Sequence, residues 1–393
     1  MINFSTIKYT NAAFNVKNRQ GNKNNQVFLP HDNQIAEKRN LPSLNKNNIL
    51  YFTPNVISFG SNPIQKYNLK NKTILITGGT GSIAKVIIES LLKDHNPKKI
   101  IILSRDEAKQ HQMRLNGFTD PKLSYVIGDV RNEASLKRSL KDVDVVIHTA
   151  AMKHVPICED NPEEAVKTNI DGARNLIEAT LGTKVKRVLA ISSDKATSPS
   201  NLYGATKLVS EKLFSDANKY TGKNGPKFAC VRLGNVLGSR GSIIPVFKEQ
   251  SKKGEISITD TRMTRFFMTP KQVSNLVTSS IEIMDGGEVF IPKLKGTNIT
   301  NLANKVTNGC KVKEVGIRPG EKLHEAFISK SEAVDTIEID DRFIILPHNK
   351  VDKSNTLWPE SKKVPQDFSY ESDNKEFKMT DDELETLIND SQA

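Results

Sequence analysis

The sequence predicts an α/β protein built on a doubly wound parallel sheet, with a smaller mixed region following it, and three observations carry that prediction. From about residue 70, short apolar runs alternate with stretches of helical character. The runs have strand length, as in Ile100-Ile101-Ile102-Leu103, and none reaches the ~18 apolar residues of a membrane-spanning helix. The first run leads straight into a glycine-rich turn, "TGGTGSIAK". Continuously apolar strands separated by helices belong to a parallel sheet covered on both faces.

In chain order the expected strands are 73–78, 99–103, 124–130, 144–151, 187–193 and 227–233, and helical character fills 82–94, 106–116, 133–141, 162–182 and 201–221. After about 235 the rhythm loosens. "MTPKQVSNLVTSSIEIM" starts a helix with Thr269 as N-cap, Pro270 in first place and Gln272 closing a capping box. Strands around 287–292 and 341–347 and helices around 299–308 and 320–328 complete the mixed region. Residues 348–379 read as mostly irregular, and a last helix starts at "KMTDDELETLI", where Thr380 and Glu383 form a second capping box. The expected organisation is a basic Asn-rich tail (1–68), a dinucleotide-binding domain (69–235), a mixed α/β region (236–347) and a C-terminal extension with a terminal helix (348–393).

Composition narrows the function classes. Of 393 residues 37% are hydrophobic, enough for a sizeable core. The net charge of +12 raises a nucleic-acid reading, but half of it sits in residues 1–68, where eight Lys or Arg face two acids among 15 Asn. That segment reads as solvated, without an apolar signal core and without the Arg or Ser enrichment of a transit peptide. It has no aromatic interleaving to support nucleic-acid binding. Cys158, Cys230 and Cys310 are too dispersed for a CxxC or metal-ligand pattern, which suits a reducing cytoplasm, and no metal site is expected. His148 falls within an apolar strand, where a structural role is favoured over a catalytic one.

The turn "TGGTGSIAK" supplies a phosphate cradle. Gly78 and Gly81 hold the first two positions of GxxGxxG and Ala84 the third, with Thr80, Ser82 and Ile83 between and after them. The first glycine permits a tight turn and the second lets backbone approach a pyrophosphate, while the third position needs only a small residue. Because the motif ends a strand and opens a helix, it reads as a Rossmann dinucleotide site. At the end of the second strand, "LSRDEAK" places Ser104 and Arg105 first and Lys109 one helical turn later. A hydroxyl and two cations suit a 2′-phosphate, so NADP is expected; Asp106 keeps NAD open. Asp129 and Val130 end the third strand, with Asp129 placed for the adenine edge or for capping the next helix, and Ala150 ends the fourth.

Tyr203 and Lys207 stand four apart, so a phenol and an ammonium share one helical face. Together with a nicotinamide cation, the ammonium stabilises the phenolate and makes Tyr203 a base, and Ser193 can hydrogen-bond the same substrate hydroxyl. Asp194 and Lys195 follow Ser193 directly, and a plain dehydrogenase has no need of them.

Taken together, the TGGTGS turn, "SRDEAKQ", "AAMKHVP", "SSDKA", YxxxK, "RLGNVLGSRGS", "MTRFFMT" and "RPGEKLHE" resemble the inverting UDP-N-acetylglucosamine 4,6-dehydratases. These are extended short-chain dehydrogenase/reductase enzymes of surface-polysaccharide and pseudaminic-acid pathways. The resemblance runs from about residue 68 to the C-terminus; Ala84 departs from the family's usual Gly, and relatives with membrane-spanning N-terminal regions are not matched.

The resemblance implies a reaction for each of these groups. Tyr203 takes the C4 hydroxyl proton as hydride leaves C4 for NADP⁺; a neutral Lys195 removes the C5 proton, and a protonated Asp194 donates to the departing C6 hydroxyl. Hydride then returns to C6, and C5 is reprotonated from the opposite face. Those protonation states lie a few units from the ordinary ~10.4 and ~3.9, so a dry site or a direct proton exchange between the two must supply several kcal/mol. The resemblance also assigns Lys153 and Asn235 to the sugar and phosphate region and Arg318 and Glu321 to the nucleotide; Arg240, Arg262 and Arg265 are further candidates, which surface solubility explains about as well. A homo-oligomeric cytoplasmic enzyme acting on a small sugar nucleotide is expected. A UDP-sugar 4-epimerase and a catalytically silent NADP-binding scaffold are the competing readings; the first has no use for Asp194–Lys195, and the second has no need to keep Tyr203, Lys207 and Asp194 together.

Overall fold

The computed structural model describes residues 66–239 and 242–391. The expected tail therefore lies outside the described residues up to 65, as does Arg240. The described residues all belong to one compact unit.

The strands are β1 (Thr73–Thr77), β2 (Lys99–Ser104), β3 (Leu123–Ile127), β4 (Val145–His148), β5 (Arg187–Ser193), β6 (Lys227–Leu233), β7 (Asn235–Val236), β8 (Glu255–Ile258), β9 (Thr264–Met268), β10 (Val289–Pro292), β11 (Gly296–Asn298), β12 (Lys311–Glu314), β13 (Ala326–Ile328), β14 (Thr336–Glu338), β15 (Arg342–Ile345), β16 (Lys362–Lys363) and β17 (Tyr370–Glu371). The α-helices are α1 (Ser82–Ser90), α2 (Glu107–Leu115), α3 (Glu133–Ser139), α4 (Val155–Asp160), α5 (Pro162–Val166), α6 (Gly172–Thr180), α7 (Leu202–Ala217), α8 (Ile243–Ser251), α9 (Pro270–Ile283), α10 (Ile299–Thr307), α11 (Lys330–Ala333), α12 (Ser354–Leu357) and α13 (Asp381–Asp390).

Ten strands form one sheet in the order β16-β14-β15-β10-β6-β5-β4-β1-β2-β3. From β3 to β10 every pairing is parallel. Beyond β10 the pairings turn antiparallel through β15, β14 and β16. Successive residues of β1 feed opposite faces: Ile74 and Ile76 pack with Ile87 of α1 and Leu276 of α9, whereas Leu75 packs with Leu136 of α3 and Leu176 of α6. Burial on both faces is why these strands read as unbroken apolar runs. A third cluster, including Phe247 of α8, Leu302 of α10 and Leu384 of α13, holds the smaller region together. The sheet order reverses at β1, which has β2 on one side and β4 on the other, and a crevice opens at such a point beyond the strand ends.

The Rossmann-type doubly wound fold is the one expected. Both capping boxes form, at Thr269–Gln272 and Thr380–Glu383. The helix expected over 162–182 is instead α5, a π-helical turn over Lys167–Asp171, and α6. The third strand stops at Ile127, so Asp129 and Val130 lie in the loop beyond it. The helix expected around 320–328 does not form. Gly320 takes φ +75°, its carbonyl accepts from Ser200 Oγ and Asn201 Nδ2, and Arg265 donates to the carbonyls of Lys322 and Leu323. Carbonyls spent in this way are lost to a helical ladder, and the chain runs on into β13, paired with β17. Short elements also occupy the stretch 348–379, which was expected to be mostly irregular.

Candidate active site

At the crevice, β1 hands over to a turn that only glycine can make at its first position. Gly78 has φ +63°, and a Cβ there would lie 2.7 Å from the Ala150 Cα. Thr80 Oγ1 hydrogen-bonds Ser104 Oγ at 3.0 Å, tying the turn to the end of β2. Gly81 is the N-cap of α1; it brings no side-chain hydrogen bond, and the first helical turn, beginning Ser82-Ile83, carries no acid. By contrast α2, α3, α7, α9, α10 and α13 are each capped by a side chain. A glycine-lined helix N-terminus that brings no carboxylate of its own fits a pyrophosphate, so Gly78, Thr80, Gly81, Ser82 and Ile83 would hold a dinucleotide there. The Ala150 amide donates to Thr77 Oγ1, and the Val130 carbonyl accepts from Asn175, fixing the rims of the crevice.

The cations at the end of β2 are not bare. Asp106 caps α2 and pairs with Lys109 Nζ at 2.7 Å, and that hydrogen bond holds its carboxyl below the usual range. Arg105 stands 3.9 Å from Asp129. Asp129 does not cap α3, whose N-cap is Asn132. Burial raises the Asp129 carboxyl, but hydrogen bonds from Arg131 and the charges of Arg131 and Arg105 outweigh it and hold the group low.

The second half of the site stands beyond β5. Ser193 is the last residue of that strand, and Asp194–Ala196 form a single 3₁₀ turn. Ser193 Oγ donates to Asp194 Oδ1 at 2.8 Å, and Lys195 Nζ lies 3.1 Å from the same oxygen. Helix α7 begins on the Asn201 cap and packs directly against this turn, because a Cβ on Gly204 would collide with the Lys195 carbonyl oxygen. Tyr203 and Lys207 are thereby buried beside the pair. Lys207 Nζ donates to the Ile191 carbonyl at 2.7 Å, and burial pushes its pKa down to about 8. Burial pushes the Tyr203 phenol up to about 12, opposed by the Lys195 charge and a hydrogen bond with Ser193. Lys195 is thus a cation acting on the phenol in this state.

A residue from the far end of the chain completes the cluster. Glu325, 2% exposed, places Oε1 3.2 Å from Lys195 Nζ. Burial lowers the Lys195 pKa, but the charges of Asp194 and Glu325 more than reverse this, so the net shift is upward. Resting Lys195 is therefore an ammonium between two carboxylates, which corrects the expectation of a neutral amine. Asp194 is 1% exposed, which excludes a surface ion pair. Asp194 Oδ2 and Glu325 Oε2 are both buried and accept no hydrogen bond among the described residues. The segment carrying Glu325 is clamped onto the turn: Lys322 Nζ donates to the Thr197 carbonyl and Thr197 Oγ1 to the Phe327 carbonyl.

The remaining candidates divide. Glu321 reaches inward to within 3.6 Å of Arg265, itself buried beside Glu325. Arg318 is exposed on the loop before it, its amide donating to Glu321 Oε2. Asn235 opens β7 opposite Phe267, and Lys153 is exposed after β4. Arg262 turns to Asp260 on the surface. His148 is buried with Nδ1 2.8 Å from Thr77 Oγ1, and burial pushes its pKa down to about 3. Among the described residues no helix is long and apolar enough to cross a membrane, and no cluster of three or more His, Cys, Asp or Glu could hold a metal ion.

Glu325 and Lys322 are the site residues that sequence reasoning missed. The motif "RPGEKLHE" was in view, but the expected helix over 320–328 hid the available signal, a lone carboxylate entering the apolar strand Ala326-Phe327-Ile328.

Known proteins resemble this chain in sequence and fold. The family described as polysaccharide biosynthesis protein matches residues 74–347. A protein of Campylobacter jejuni subsp. jejuni named UDP-N-acetylglucosamine 4,6-dehydratase (inverting) is 48% identical over 83% of this chain and 99% of its own. One of Rickettsia canadensis named UDP-glucose 4-epimerase is 38% identical over 70% of this chain and 83% of its own. Among solved structures, Pen from Bacillus thuringiensis has a TM-score of 0.75 and 38% identity, covering 82% of this chain and 98% of that one. The dTDP-glucose 4,6-dehydratase DesIV from Streptomyces venezuelae shares the fold at a TM-score of 0.60 and 19% identity, covering 81% of this chain and 97% of that one. The chain belongs to this polysaccharide-biosynthesis family, on the extended short-chain dehydrogenase/reductase fold and alongside the inverting UDP-N-acetylglucosamine 4,6-dehydratases.

Proposed function

We propose that this protein catalyses the NADP-dependent 4,6-dehydration of UDP-N-acetylglucosamine with inversion at C5, giving a UDP-4-keto-6-deoxy sugar for surface-polysaccharide or pseudaminic acid synthesis. The observation that carries the reading is the Asp194–Lys195 pair beside Tyr203, its carboxylate buried and its ammonium partly so, an acid and an amine where an oxidation alone needs neither. The Campylobacter jejuni relative's name supports it. The cofactor reading rests on the helix end at Gly81 and on Arg105 and Lys109, which a 2′-phosphate would draw away from Asp129 and Asp106. Unpaired thiols at Cys158, Cys230 and Cys310 suit a cytoplasmic enzyme of sugar-nucleotide metabolism.

Bound nicotinamide supplies a reversible hydride acceptor; the proton work falls to the chain. Tyr203 takes the C4 hydroxyl proton, with Ser193 and the Lys195 ammonium stabilising the phenolate. A ketone at C4 acidifies C5–H. Lys195, once it has given up its own proton, removes that one and passes it through Asp194 to the C6 hydroxyl, which leaves as water. Hydride then returns to C6, and C5 takes a solvent-derived proton on its opposite face. Lys153, Asn235, Arg318 and Glu321 would hold the sugar nucleotide, the cations facing its diphosphate.

Isotope flow tests the reaction. In D₂O the product should gain one deuterium at C5, and a deuterium placed at C4 of the substrate should arrive in the new C6 methyl. Label returned to C4 with C5 untouched, read by NMR, would show an epimerase and end the dehydratase reading.

A further inference from the structure

Lys195 poses a problem for the reaction just proposed: an ammonium cannot remove a proton from carbon, and both carboxylates hold it in that form. We propose that Glu325, acting through Lys195, is the group that takes and keeps the ammonium's proton so that the amine can draw H5 from the sugar. The proposal rests on the dehydratase reading and adds a positioning residue to it.

The other donors to each carboxylate favour Glu325 over Asp194 as that acceptor. Nζ donates a hydrogen bond to Asp194 Oδ1 at 3.1 Å and pairs with Glu325 Oε1 at 3.2 Å. Asp194 Oδ1 also accepts the Ser193 hydroxyl. No hydroxyl or amide donates to the Glu325 carboxylate among the described residues, and its Oε2 is buried without a partner. Arg265 Nε stands 3.9 Å away, while both its terminal nitrogens are spent on carbonyls at Thr264, Lys322 and Leu323. A buried carboxylate with fewer donors accepts a proton at lower cost.

The steps balance. The Nζ–H bond facing Glu325 breaks and Oε1–H forms, leaving a neutral amine and a neutral carboxyl. The amine pair then forms Nζ–H as C5–H breaks. That ammonium passes a proton to Asp194, which gives it to the C6 oxygen as the C6–O bond breaks. The proton from C5 thus departs in water, and Glu325 returns its own to Lys195 afterwards. The trio thus draws no proton from solvent, and Asp194 stays available as the acid. The proton that C5 regains on its opposite face, once hydride has returned to C6, is solvent-derived, as the deuterium test requires.

The charged and titratable groups facing Lys195 are Asp194 in the same turn, Tyr203 on α7, Arg265 on β9, and Lys322 and Glu325 on the segment before β13, with Glu321 behind Arg265. With internal transfer, wild-type kcat for UDP-N-acetylglucosamine is level across neutral pH. In Glu325→Gln the amine must shed its proton to water, so kcat falls about 100-fold at pH 7 and climbs toward tenfold per pH unit above it, with KM within about threefold. A level profile in this variant, at full or at uniformly reduced rate, would overturn the proposal. Should the Gln variant not fold, Glu325→Asp reads the same step: a carboxylate withdrawn by one methylene should introduce a solvent isotope effect of about 2 or more on kcat. An isotope effect equal to wild type would overturn the proposal. A wild type that returns the C4 label to C4 would instead remove the dehydratase reading itself, and this proposal with it.

Discussion

At the ends of β1 and β2 the molecule offers backbone; beyond β5 it offers charge. The first region is a turn and a helix N-terminus whose shape follows from glycines three residues apart, and its cations are on the surface with acids beside them. The second is a lysine between two buried carboxylates, one its neighbour in sequence and the other brought from beyond β12. Holding a dinucleotide needs preformed amides that do not change state, whereas eliminating water needs groups that do. The difference teaches where each kind of chemistry can be built: the first within one βα unit, the second only where two segments meet out of water.

The sharpest way to break this contrast is Lys195→Met. It should lower kcat for dehydration about 10³-fold while calorimetry shows dinucleotide affinity unchanged within twofold. Loss of cofactor binding would mean the two regions are not separable.

A second test concerns stability. Lys207 is buried with its pKa depressed to about 8 from 10.5. The unfolded chain keeps this proton to higher pH than the folded one, so the destabilisation is complete below pH 8 and fades as pH rises toward 10.5. Lys207→Met should therefore be the more stable protein at pH 7, by an amount on the order of 3 kcal/mol before the lost Ile191 hydrogen bond takes back about 1. Chemical denaturation should find that advantage shrinking between pH 8 and 10. A constant difference would assign it to packing.

Arg105→Ala sharpens the cradle side and carries the smallest effect. NADP affinity should drop about tenfold with NAD affinity nearly unchanged, in side-by-side titrations. Equal losses would mean that Arg105 serves Asp129 rather than a 2′-phosphate.

Much of this was legible in the sequence because its signals are local. The apolar runs became β1, β2, β4, β5 and β6, and Thr269–Gln272 and Thr380–Glu383 closed their boxes, since each rests on neighbours within one turn or strand. Ser193, Asp194, Lys195 and Tyr203 cluster because one strand end and the next helix carry all four. Glu325 was not legible: its place depends on Arg265, Ser200 and Asn201 capturing the carbonyls of 320–323, and no local pattern announces partners so far away. The protonation of Lys195 escaped for the same reason, because the second carboxylate that fixes it comes from that segment.

The clamp between Thr197 and Phe327 spans 130 residues. Contacts so distant in sequence form late, after loop closure has been met by many others. A growing chain can assemble the parallel strands β1 to β6, with their glycine turn, before Glu325 has been synthesised. Until β13 settles, Asp194 and Lys195 remain an ordinary hydrated pair, and the amine has no second acceptor. A chain in which β13 has not docked thus lacks the second acceptor for Lys195, and could hold a nucleotide without being able to break a sugar's carbon–oxygen bond.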